Sequence, residues 1–165
     1  MKNQLAWQVR GVGVTDPVAT ARRYDYADAF EVRLPEPDPY PPETWVRAGL
    51  EATPGVVKRI LGLLGIREAP ASSADHASGF RIVESGPEAV HLDASVPLMH
   101  VVLVGRRVEP TRRMLTTGLC YERPVLAWLV WAAVGPVHRR AVRGGITSKV
   151  PTPAGSGDAV SERGR

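Results

Sequence analysis

Cysteine is nearly missing from this sequence. Cys120 stands alone among 165 residues, so no intrachain disulfide can form and no oxidising compartment is required. Its place inside an apolar strand pattern points to a buried structural thiol, not a nucleophile. The histidines His76, His91, His100 and His138 lack the i,i+4 spacing of a helical metal site, and with no cysteine pair no metal is expected. There is no Gly-x-Ser-x-Gly elbow and no phosphate-binding loop. Gly11-Val12-Gly13 begins like a dinucleotide fingerprint, but Asp16 stands where the third glycine belongs. No cofactor is implied. Residues 1–14 contain no basic stretch followed by an apolar run, so no signal peptide is expected and the cytoplasm is the default location.

Long runs of one charge are missing too. The net charge is +4, yet the arginines come as scattered doublets (Arg22-Arg23, Arg106-Arg107, Arg112-Arg113, Arg139-Arg140) with carboxylates between them. That pattern belongs to a solvated surface, and a nucleic-acid partner is not expected.

An apolar fraction of 44% with 23% charged residues is ordinary for a globular chain, and the length suits one domain with a sizeable core. Prolines and glycines punctuate the chain. Residues 1–20 read as a lead-in that could add an edge strand at Leu5–Val9, residues 21–146 as the domain, and residues 147–165 as a disordered tail rich in Pro, Gly and Ser. The first firm strand is Tyr26–Leu34, with Tyr26, Phe30, Val32 and Leu34 on one face. Pro42 and Glu43 suit the start of a helix, which Thr53-Pro54-Gly55 ends. A second short helix follows from about Val56, with Val57, Ile60, Leu61 and Leu64 as its apolar face and Gly65 as its cap. After a loop over Glu68–Ser78, strands are predicted at Phe80–Glu84, Ala89–Val96, Leu98–Val108 and Arg113–Glu122, joined by hairpin turns.

Val125–Arg143 then forms one long helix. From Val125 to Val137 every residue is apolar, glycine or proline. Such a stretch spans only about 20 Å, short of the roughly 30 Å of a bilayer core, so integral membrane insertion is not expected. The wheel places Leu126, Val130, Ala133 and Val137 on one face, expected on the sheet, and Trp128 and Trp131 on nearly the opposite one.

Strand, two short helices, antiparallel strands and a long terminal helix make an α+β chain of the helix-grip kind. In that architecture a curved antiparallel sheet wraps the terminal helix, as in START-like and polyketide-cyclase-like proteins. Asp25-Tyr26-Ala27-Asp28-Ala29-Phe30, His91-Leu92-Asp93 and Gly135-Pro136-Val137-His138-Arg139-Arg140 together resemble an uncharacterised bacterial family, domain-of-unknown-function family 2867. The resemblance spans roughly residues 22–145. It implies the helix-grip fold and, because some members are joined to reductase-like domains, a reductase-like partner. It implies no activity.

The candidate site residues are Asp28, Phe30, His91, Asp93, Trp128, Trp131 and His138. Asp28 interrupts the apolar side of the first strand, and His138 approaches from the terminal helix. His91, Asp93 and Ser95 share one strand face, either lining a cavity or, as the opposite Val90, Leu92, Ala94 and Val96 suggest, lying on the outer side. A cavity of roughly 300–1,000 Å³ is expected between sheet and terminal helix. The expected function is non-catalytic binding of a hydrophobic or lipid-like small molecule there. Two alternatives stand beside it: a cyclase- or hydrolase-type enzyme using Asp28, His91 or Asp93 for proton transfer, and an interaction module, homodimeric or bound to a partner, docking through the apolar helix.

Overall fold

The computed structural model describes residues 9–53, 55–63 and 73–147, without the side chains of Val57 and Leu61. The predicted Gly65 cap, most of the Leu5–Val9 strand and the tail beyond Thr147 lie outside these residues. The chain is α+β. Among the described residues seven strands form one antiparallel sheet: β1 (Arg10–Val12), β2 (Tyr26–Arg33), β3 (His76–Ala77), β4 (Phe80–Ser85), β5 (Ala89–Val96), β6 (Met99–Glu109) and β7 (Arg112–Tyr121). Their spatial order is β1-β2-β7-β6-β5-β4-β3. Only the β2–β7 neighbourhood joins strands distant in sequence, and the β3-to-β7 run is a plain meander of hairpins.

Among the described residues four helices accompany the sheet: α1 (Pro17–Thr20), α2 (Pro42–Glu51), α3 (Gly55–Leu63) and α4 (Pro124–Ile146). Proline supplies the first residue of α1, α2 and α4, where its fixed φ helps and its missing N–H costs nothing. An edge strand lies at Arg10–Val12, after the expected Leu5–Val9 segment, and pairs with Ala29–Glu31. The strand β3 falls inside the predicted loop Glu68–Ser78. It is held by a two-residue turn in which Ser78 (φ 48°) and Gly79 (φ 87°) both take the left-handed region.

The period of two along each strand sorts the sheet into two faces. Val90, Leu92, Ala94 and Val96 of β5 point inward with Leu103 and Val101 of β6 and Leu119 of β7, and belong to the main core. Here α2 and α4 cover them. Gly105 permits this approach: a Cβ there would lie 2.5 Å from Val46 Cγ2 and 3.0 Å from the Trp45 ring. The two helices meet each other at a second glycine contact, where a Cβ on Gly49 would stand 2.9 Å from the carbonyl oxygen of Gly145.

Outward, the central strands carry Val102, Val104, Met114 and Thr116, all buried. Residues 16–24 cover them. Asp16 caps α1 through Val18 N–H (2.9 Å) and accepts a bond from Arg106 of β6 (2.5 Å), and the Tyr24 ring lies against Gly118. The lead-in thus works as a strap over the outer face.

The terminal helix begins and ends close to expectation but turns a different side inward. Its buried residues are Ala127, Val134, Gly135, Val142 and Ile146, with Trp131 half-buried against the core. Leu126 is 49% exposed and Ala133 exposed, so the expected Leu126/Val130/Ala133/Val137 face is not the one that meets the sheet. The glycine contact at Gly145 fixes the helix's rotation at one end, and Trp131 and His138 share Gly145's side. A pattern that is apolar all round could not reveal that choice.

Candidate functional site

A chamber lies between the inner sheet face and the two covering helices. Its walls come from Trp45, Gly49 and Leu50 of α2, from Met99, Val101 and Leu103 of β6, from Leu115, Thr117 and Leu119 of β7, and from Trp131, Val134 and His138 of α4. Its volume is about 110 Å³, below the expected range. The glycine contacts at Gly105 and Gly49 explain the difference, because they draw α2 onto both β6 and α4 and narrow the space. A dry apolar cavity of about 150 Å³ accommodates benzene, so this chamber suits a group of about one ring. No residue of β2 lines the chamber.

The walls are largely apolar: Thr53 spends its hydroxyl on the Gly49 carbonyl, and the remaining polar side chains gather at one end. There Thr117 Oγ1 and His138 Nε2 lie 3.3 Å apart. Asp28 Oδ2 is 3.8 Å from the same His138 nitrogen and accepts a 2.6 Å bond from Tyr26 Oη–H. Antiparallel pairing sets Asp28 directly opposite Thr117, which puts both on the inner face at the depth reached by His138 from α4. Trp131 packs between Tyr26 and His138, each ring centroid 4.9 Å from its own. Pro136 removes one amide donor two residues before His138, leaving the Ala132 carbonyl on the exposed side without its helical bond.

Electrostatics at this end are balanced. Burial by itself would raise the Asp28 carboxyl, but His138, Tyr26 and Thr117 outweigh it and hold the group below the usual carboxylate range. Burial, reinforced by the Asp28 charge, pushes the Tyr26 phenol up. Asp28 Oδ1 and Trp131 Nε1 are buried without a hydrogen-bond partner among the described residues. Trp45 Nε1, on the α2 wall, is likewise unpaired, so one acceptor and two donors remain unspent beside the chamber.

The fold brings Asp28, Trp131 and His138 together. The other four candidates are elsewhere. Phe30 is core, 4% exposed, with the Arg143 guanidinium 5.7 Å from its ring centroid. Trp128 faces solvent at 60% exposure, because the rotation that turns Trp131 inward turns it out. His91 and Asp93 lie on the outer face, across the sheet from the chamber. Asp93 is held by Arg81 through two bonds of 3.2 and 3.1 Å, which keep its carboxyl below the usual range, and stands 4.0 Å from His100. Burial lowers the affinity of His91 for its proton. Cys120 is half-buried on that same face, its thiol 3.6 Å from the Arg23 carbonyl and raised by burial, the state of an unactivated thiol.

Tyr26, Thr117 and the α2 residues were not among the candidates. Thr117 carried a readable signal, a hydroxyl on the inward phase of β7 between Leu115 and Leu119. The α2 contribution carried none, since it depends on two glycine approaches between distant segments. Among the described residues no group of carboxylates, histidines and cysteine is arranged to hold a metal ion. No family model, no curated protein and no solved structure matches the chain.

Proposed function

We propose that the protein is a helix-grip binding domain for a small, neutral, hydrophobic molecule with one polar end. The single observation that carries this reading is a largely apolar chamber with Thr117 and His138, backed by Asp28, gathered at one end. The element order supports the helix-grip part: from β2 onward the chain runs strand, two helices, meander and terminal helix. Two of the three segments that resemble domain-of-unknown-function family 2867 hold Asp28 and His138. A free carboxylate ligand would meet the Asp28 charge, whereas a hydroxyl or carbonyl can use the unspent groups of Asp28 and Trp131. Native mass spectrometry of the purified protein should find a co-purifying neutral molecule, or uptake of small neutral aromatic probes. Ala141→Phe, which fills the chamber from α4, should abolish the bound mass while the protein stays folded. Wild-type protein that carries nothing and takes up no neutral probe would refute the reading.

A second reading rests on the contact between His138 and Asp28. A histidine backed by a carboxylate at an apolar chamber can accept and return a proton, as a cyclase- or hydrolase-type enzyme requires. His138→Gln separates the two: loss of turnover with retained binding would favour the enzyme.

A further inference from the structure

The exposed face of α4 is apolar where surface helices are polar. Among the described residues eight large hydrophobics are exposed, and four of them, Val125, Leu126, Trp128 and Leu129, follow one another closely at the start of this helix at 73, 49, 60 and 52% exposure. Two more, Val56 and Leu63, belong to α3, which packs on α4. The remaining two, Val83 and Val108, sit where β4 and β6 break register, so a local bulge accounts for them. No such account exists for the helices. The face is also contiguous: at about 100° per residue, Val125, Leu129, Ala132 and Pro136 lie on one solvent-facing line that continues into Arg140 and Arg143.

Charge identifies the occupant. Neither α3 nor α4 contains an aspartate or glutamate. The exposed apolar stretch is bounded by Arg123 before it and by Arg139, Arg140 and Arg143 after it, all exposed, and Glu122 is the nearest carboxylate in sequence. We infer that α4 docks on an anionic lipid surface, its first half entering the interface and its arginines meeting lipid phosphates. Apolar side chains with one exposed tryptophan, flanked by arginine on a helix not apolar over enough of its length to cross, are what an interfacial helix needs. A second copy of the chain fits poorly, since pairing α4 with itself would bring the arginine clusters together. This inference does not depend on the chamber, because none of these exposed residues lines it.

The test is co-sedimentation of the full chain with vesicles of phosphatidylcholine, with and without about 30% phosphatidylserine. Binding is expected to the anionic vesicles only and should weaken as salt rises. Trp128→Ser with Leu129→Ser should lower it by at least about 10-fold through lost apolar contact. Arg123→Gln with Arg140→Gln should lower it roughly 25-fold, about 5-fold for each charge. All four side chains are exposed, so melting should stay unchanged, and the arginine pair remains informative if the apolar pair perturbs folding. Four results would each overturn the inference. They are absence of binding to either vesicle, equal binding to both with no arginine effect, a dimer that Trp128→Ser dissolves, and binding that emerges only when residues 148–165 are deleted.

Discussion

Each face of the sheet seats an aromatic ring on a glycine of a central strand, and the two seals leave different things beneath them. Inside, Trp45 and Val46 of α2 meet Gly105, and a chamber remains between α2, α4 and the strands. Outside, Tyr24 meets Gly118, and the strap over residues 16–24 crosses the face on which Val102, Val104 and Met114 are buried. Each face also carries an aspartate near a histidine. Asp28 keeps one oxygen unpaired beside His138, whereas both oxygens of Asp93 are taken by Arg81. The same residue types are thus spent on structure outside and left available inside. Availability, more than residue identity, distinguishes a candidate site from a surface ion pair.

The largest expected effect contrasts the two seals. Trp45 is 1% exposed and Tyr24 only half-buried. Trp45→Ala should cost about 3–5 kcal/mol in urea unfolding, because it opens the wall between core and chamber. Tyr24→Ala should cost clearly less, since solvent can fill the outer gap. Equal losses would mean that the strap contributes to the core as much as α2 does.

Next comes the inner pair. Asp28→Ala removes the acceptor of the Tyr26 hydroxyl and the carboxylate facing His138, and should cost about 1.5–3 kcal/mol at neutral pH. The Asp28 carboxyl is held below its ordinary range, so its contribution is present above that range and fades as pH falls through the folded value. Stability of the variant should therefore fall less steeply than wild type below about pH 4. Urea midpoints measured across that interval test it. An unchanged slope would place the acid sensitivity on other carboxylates, such as Glu43 or Asp93, which are also held low.

The strands were legible because a period of two is visible wherever one sheet face is buried. It placed Val90, Leu92, Ala94 and Val96 inward and left His91 and Asp93 outside, as the alternation had suggested. Asp28 was legible as a break in that alternation. The rotation of α4 was not, since residues 124–137 offer apolar side chains in every direction and only the glycine contact with α2 selects one. The chamber's size was hidden for the same reason. The strap was hidden differently: in sequence Asp16 only interrupts a glycine motif, and its role depends on Arg106, ninety positions away.

The smallest effect is expected at His91, where the outer face can contradict the comparison most directly. If this face is only structural, His91→Ala should change stability by no more than about 0.5 kcal/mol at pH 7, the usual size for a surface substitution. Below neutrality the sign is specific. Burial lowers the folded pKa of His91, so as pH drops below about 6.5 the unfolded chain takes up its proton first. That proton uptake favours unfolding, and stability falls with pH in wild type wherever the unfolded state binds more protons. Alanine has no such proton to bind. The variant should therefore match wild type at pH 7 and lose slightly less stability between about pH 6.5 and pH 5. His138 and Asp28 should be indifferent to the change, because the sheet separates them from His91. A ligand-binding or turnover defect in His91→Ala, with unchanged folding, would move the site to the outer face and reverse the assignment of the two pairs.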